Sequence, residues 1–237
     1  MVDVARCRVT HRKKFDLPTG TDSISPGKLF AMTLPAHLPS TGIDPKWNRR
    51  YEAGDTPWDM RIPSRELTRV LDEGLIRGHT AFEMGCGTGT NAVFLAGQGL
   101  AVTAIDGAPL AIEQARQLAV ERHVSVEWLL GDVCQLPDLG RTFDFVFDRG
   151  CYHCVRQVNL TGYLDSLRRV THLGSQYLVL TGNAHETREG GPPRLHEHEL
   201  RADFEPLFRI DDLQPFRFDD PDGPTGPLGW SCLLTRC

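Results

Sequence analysis

The chain has no long apolar run: nothing in its 237 residues approaches the roughly 20 consecutive apolar positions that cross a bilayer, so no membrane span is expected. It has no basic excess. Lys and Arg total 26 against 31 Asp and Glu, a formal charge of -5, which argues against a dedicated nucleic-acid binder. It has no internal repeat, and its 40% hydrophobic and 24% charged residues exclude wholesale disorder and collagen-like architecture. Cysteine is present without a pattern. The seven, at 7, 86, 134, 151, 154, 232 and 237, are odd in number and loosely spaced, in a chain long enough to bury a core without crosslinks. Reduced thiols and a cytoplasmic protein are expected. Arg6, Arg8, Arg12, Lys13 and Lys14 are not followed by an apolar stretch, so a secretory leader is not expected.

Residues 1–42 carry Pro18, Gly20, Pro26, Gly27, Pro35 and Pro39 and no sustained period. They read as a flexible N-terminal extension, with residues 43–237 as a single domain. In that domain strands alternate with helices. Helical spacing covers 64–76, 91–99, 108–123, 160–170 and 196–206. Apolar or alternating runs cover 79–84, 100–106, 124–132, 143–148, 175–182, 208–216 and 228–236. This order predicts an α/β fold, a doubly wound and mostly parallel seven-stranded sheet covered on both faces.

The strongest motif is Glu83-Met84-Gly85-Cys86-Gly87-Thr88-Gly89, between a strand and a helix. Glycines there let backbone approach a ligand closely. Glu83 ahead of them would be a poor neighbour for a pyrophosphate and a good one for a cationic group. Asp106 ends the next strand, 21 residues beyond Gly85, where an acid can hold both ribose hydroxyls of an adenosine. Gly131-Asp132-Val133 follows the third strand, where a carboxylate and a backbone N–H can meet an exocyclic amine and a ring nitrogen.

This constellation resembles the class I S-adenosylmethionine-dependent methyltransferases over about four-fifths of the chain, from Trp47 onward. The resemblance implies S-adenosyl-L-methionine as cofactor and an antiparallel last strand near Leu228–Thr235. Glu83, Gly85, Cys86 and Gly87 would face its methionine part, Asp106 its ribose, and Asp132 with Val133 its adenine. Trp47-x3-Tyr51 and Pro57-Trp58-Asp59 resemble the N-terminal segment of the thiol, halide and thiopurine S-methyltransferases, with Tyr51 in place of a frequent tryptophan. In that subgroup such aromatics fold over the cofactor, and aromatic faces attract a sulfonium.

After the fourth strand come Asp148 and His153, the candidate catalytic side chains. Asp148 would lie near the cofactor's amino group or the acceptor, and His153 could serve as a general base. Cys151-x-x-Cys154 has no second pair for a zinc site. His196 and His198, at i and i+2, would point apart on a helix, so no metal is expected. The fifth strand ends Thr181-Gly182-Asn183 without an acid, which disfavours a magnesium-dependent mechanism. The expected partner is a small-molecule acceptor with a soft nucleophile, such as a thiol, a halide or a thiopurine; nucleic acid and membrane are not expected, and a monomer is favoured. Alternatives are an O- or N-methyltransferase of a metabolite or protein side chain, a nicotinamide oxidoreductase, and a non-catalytic S-adenosylmethionine-binding module.

Overall fold

A computed structural model describes residues 45–220 and 223–237. The extension expected over 1–42 lies outside the described residues. The elements run α1 Lys46–Glu52, α2 Arg65–Asp72, β1 Thr80–Met84, α3 Thr90–Gly97, β2 Ala101–Asp106, α4 Pro109–Glu121, β3 Val126–Leu130, β4 Phe143–Arg149, α5 Tyr152–Val170, β5 Thr171–Asn183, β6 Arg194–Leu195, α6 Glu197–Phe204, β7 Phe208–Arg217 and β8 Leu228–Arg236.

The strand order is β3-β2-β1-β4-β5-β8-β7, with the short β6 pairing β5. Pairing is parallel from β3 through to β5, and β8 is antiparallel to both of its neighbours. This is the doubly wound sheet that the sequence predicts, with β6 as an addition. Two residues are too few to carry a readable period.

Alternation along the strands sends side chains to two apolar layers. Phe82, Met84, Phe143 and Val146 join Tyr152, Tyr163, Leu167 and Phe204 beneath α5 and α6. Ala81, Phe145 and Phe147 join Leu67, Val93, Ile112 and Ala115 beneath α2, α3 and α4. The register pairs Glu83 with Phe147 and Met84 with Asp148. Glu83 therefore belongs to the α3 face and Asp148 to the α5 face.

Local chemistry sets several boundaries. Gly74, at φ +67°, ends α2 earlier than the expected residue 76, yet Leu75 and Ile76 still pack against the α3-side layer. Pro109 opens α4 at its first turn. α5 begins at Tyr152 rather than at 160. Its backbone breaks at Asn159 (φ −154°, ψ 67°), whose Oδ1 accepts the Gly162 N–H at 3.0 Å and starts the second half. The sequence period located that second half.

Candidate functional site

β1 and β4 are neighbours, so the glycine loop after β1 lies beside the turn after β4. Gly85 and Gly87 have φ of +68° and +54°. A Cβ at Gly85 would sit 2.5 Å from the Cys151 Cβ, and one at Gly87 would sit 2.8 Å from the Tyr51 hydroxyl. Only glycine fits this turn, for sterics as well as for dihedrals. The loop is held by Asp106, whose Oδ2 accepts the Gly87 N–H and whose Oδ1 accepts the Ala108 N–H, each at 2.8 Å. Burial pushes the Asp106 carboxyl up, against the pull of these backbone donors.

Above the loop lies a small, half-open cleft of about 60 Å³, whose walls include Tyr51, Trp58, Glu83, Gly87, Thr90 and Arg149. Gly85, Cys86, Thr88, Asn91, Asp59 and Arg61 line it as well. Its floor holds an unusual group. Glu83 is 2% exposed; its Oε1 accepts a long 3.5 Å bond from Asn91 Nδ2, and its Oε2 is buried with no partner. Desolvation, reinforced by Asp148 and Asp106, pushes the Glu83 carboxyl up to about 8. Thr90 Oγ1 is likewise buried without a partner.

The roof is the segment from α1 to Pro63. Trp58 meets Trp47 and Tyr51 edge-on, with centroids 5.6 and 6.0 Å apart, and its Nε1 donates to the Tyr51 hydroxyl at 3.3 Å. The Arg50 guanidinium lies 4.2 Å over the Trp58 ring. Thr88 Oγ1 donates to Asp59 Oδ2 at 2.9 Å, and Arg149 donates to the Trp58 carbonyl at 2.9 Å, so both latch this roof to the sheet edge. Tyr51 and Trp58 line the cleft; Trp47 packs behind them.

Asp132 and Val133 follow β3, next to Asp106, whose carbonyl accepts the Gly131 N–H at 3.0 Å. Asp132 Oδ1 accepts the Cys134 N–H at 2.8 Å in a local turn, and Val133 is buried in the α5-side layer. Cys86 is buried, its thiol pushed well up by burial, and it contributes backbone.

Asp148 lies apart from the cleft. It is fully buried on the α5 face, accepting the Cys151 and Tyr152 N–H groups at 2.9 Å and the Tyr163 hydroxyl at 2.6 Å. Burial pushes it up to about 7 despite these donors. His153 is 5% exposed. Its Nδ1 accepts the Gly182 N–H at 3.1 Å and lies 3.1 Å from Thr181 Oγ1. Burial, then the Arg149 charge, pulls its pKa down to about 3. The sequence reading did not name Arg149, Asp59, Thr90 and Asn91 as site residues. Alternation could have found Arg149: it follows Phe145 and Phe147 onto the face that carries Glu83.

His196 and His198 stack at 5.4 Å and 14° instead of pointing apart. His196 precedes α6 with extended backbone, so helical spacing does not apply to it. No group of three or more His, Cys, Asp or Glu side chains among the described residues is arranged to hold a metal ion. The six cysteines among the described residues are free thiols. None of the described helices is long and apolar enough to cross a membrane.

Residues 81–174 match a sequence family described as a methyltransferase domain. A 2-heptyl-1-hydroxyquinolin-4(1H)-one methyltransferase of Mycobacteroides abscessus is 28% identical over 168 residues, covering 70% of this chain and 74% of that protein. A probable thiol methyltransferase 2 of Arabidopsis thaliana is 24% identical over 149 residues, 62% of this chain and 65% of its own. An uncharacterized methyltransferase of Schizosaccharomyces pombe is 30% identical over 97 residues, 41% of this chain and 67% of its own. Among solved structures, one from work on the conversion of a disulfide bond into a thioacetal group in echinomycin biosynthesis aligns with a TM-score of 0.68 and 24% identity. That alignment covers 81% of this chain and 91% of the other. Glycine loop, strand order, family match and relatives agree, and the chain belongs to the class I S-adenosylmethionine-dependent methyltransferases.

Proposed function

We propose that this methyltransferase acts on a small molecule through a soft nucleophile, a thiol, halide or thiopurine-like sulfur. When bound, S-adenosylmethionine supplies a methyl group already activated on a sulfonium. The residues present fit that cofactor. Glu83 Oε2, buried and unpartnered on the cleft floor, suits its ammonium group. Gly85 and Gly87 line the cleft with backbone, so main-chain groups can meet its chain. Asp106, at the end of β2, would hold the ribose, and Asp132 with Val133 would hold the adenine. Tyr51 and Trp58 would exclude water from above.

The observation that carries the choice of nucleophile is the state of His153. Nδ1 is engaged by the Gly182 N–H, and burial, then the Arg149 charge, pulls the ring's pKa down to about 3. Asp148 is enclosed by two backbone donors and a tyrosine hydroxyl on the opposite face of the sheet. Neither is placed to draw a proton from an acceptor. The acceptor must therefore arrive ionised, or carry a lone pair that needs no deprotonation. A thiol is a few per cent thiolate at neutral pH and strongly nucleophilic in that form. The protein's own work is alignment of the acceptor and exclusion of water.

The thiol methyltransferase relative supports this reading. An oxygen acceptor is the second reading, favoured by the hydroxyquinolinone named for the other relative. A cytoplasmic setting suits the free thiols. The test is transfer of isotope-labelled methyl to a panel of thiols, halides, thiopurines, phenols and aliphatic amines. Label in sulfur or halide acceptors is expected. Label confined to aliphatic amines or alcohols would overturn the reading.

A further inference from the structure

We propose that Arg149 reads the carboxylate of the cofactor's amino-acid end, so that Glu83 and Arg149 together select a zwitterion. This rests on the cofactor reading above and extends it to a residue that reading leaves without a ligand.

Arg149 follows Asp148 at the end of β4 and, by alternation, points to the Glu83 side of the sheet. Its guanidinium lines the same cleft as Glu83 and Thr90. A guanidinium has five N–H donors. Here one of its nitrogens, Nη1, donates to the Trp58 carbonyl at 2.9 Å, and the group sits 5.3 Å over the Phe218 ring. Among the described residues no carboxylate oxygen lies within ion-pair distance of it, although acids stand nearby. Asp59 is taken by Thr88 Oγ1 at 2.9 Å and by Arg61 at 3.0 Å. Asp219 faces Arg65, accepting its backbone N–H on Oδ2 at 3.2 Å; its Oδ1 lies 3.4 Å from the Arg65 Nε and accepts no hydrogen bond. Burial pulls the Arg149 pKa down, and Asp219, Asp59 and Glu83 offset that only in part.

The cleft thus holds one orphaned carboxylate oxygen, Glu83 Oε2, one guanidinium with no carboxylate in ion-pair contact, and one orphaned hydroxyl, Thr90 Oγ1. A ligand bearing only an ammonium would satisfy Glu83 and leave Arg149 bare beside a second cation, the sulfonium. A carboxylate on the same carbon as the ammonium neutralises Arg149 and can take the Thr90 hydroxyl as a further donor. An α-amino acid end supplies both charges to one cleft. A planar, fixed donor fork suits a carboxylate in a way a lysine does not.

The test is calorimetric binding of three ligands to the full chain, with no acceptor present. They are S-adenosylhomocysteine, its decarboxylated analogue that keeps the amine, and 5′-methylthioadenosine, which lacks the whole amino-acid end. The wild type is expected to bind the decarboxylated analogue about 10- to 100-fold more weakly than S-adenosylhomocysteine, the range for a lost charge-assisted pair. Arg149→Met should abolish that gap and leave 5′-methylthioadenosine binding unchanged, which also shows that the adenosine site is folded. Arg149→Lys should restore part of the gap. Glu83→Gln should instead narrow the gap between the decarboxylated analogue and 5′-methylthioadenosine. Equal wild-type affinity for the two amine-bearing ligands would overturn the proposal. So would an Arg149→Met variant that weakens all three alike, since Arg149 would then only pack Trp58 and Phe218, or one that alters only an acceptor's KM. Binding of none of the three by folded wild type would instead defeat the cofactor reading itself.

Discussion

Glu83 is the residue at which function opposes stability. Its ordinary value is 4.5, and the folded chain holds it up to about 8, first by desolvation and then by the like charges of Asp148 and Asp106. Between those pH values the folded chain keeps a proton that the unfolded chain has released. Its contribution to stability therefore declines as pH rises through that window. A cationic ligand reverses the balance by giving the carboxylate a partner. Glu83→Gln keeps the shape and the Asn91 contact and removes the charge. The ligand-free variant is expected to exceed wild type by about 1–3 kcal/mol at pH 8.5, the range for relieving an unsatisfied buried polar group, with little difference at pH 4.5. Urea unfolding at the two pH values measures this. A variant destabilised equally at both would mean that Glu83 serves packing alone.

Among the elements, the segment from α1 to Pro63 closes the cleft from above. Trp58 holds it together: its ring meets Trp47, Tyr51 and Arg50, and its carbonyl takes the Arg149 donor. Trp58→Ala is expected to weaken S-adenosylhomocysteine binding by about 1–3 kcal/mol, through lost aromatic contact and a wetter cleft. Melting temperature and dissociation constant are to be measured on one preparation. A large drop in melting temperature with unchanged affinity would make the aromatic cluster a structural cap. The elements also show what the sequence could convey. The glycine motif, Asp106 and the β-strands were legible because close backbone approach and burial on two faces leave strong local patterns. α1 was missed because it is seven residues long and buries none of them, so no apolar face marks it. The first turn of α5 was missed because its inward residues, Tyr152 and His153, are polar and break the apolar period, and His153 reads as site chemistry. Asp148 drew attention for the same reason. Alternation puts Asp148 and Arg149 on opposite faces, and the pairing of β1 with β4 fixes which of them shares a face with Glu83.

For the whole molecule, the protein's proposed work is binding, orientation and exclusion of water, with proton chemistry left to the acceptor. His153 and Asp148 are locked by backbone and tyrosine donors, and neither lines the cleft that Arg149 lines. Overall fold follows from sequence because two buried faces specify it. The acceptor does not, because loops carry specificity and leave no periodic pattern to read. The most direct measurement is the pH dependence of kcat/KM, at saturating cofactor, for two thiol acceptors whose own pKa values differ by about two units. With no enzymic base, the rising limb is expected to follow each thiol and shift by the full difference between them. A limb that stays at one pH for both acceptors would reveal a base in the protein and contradict the account.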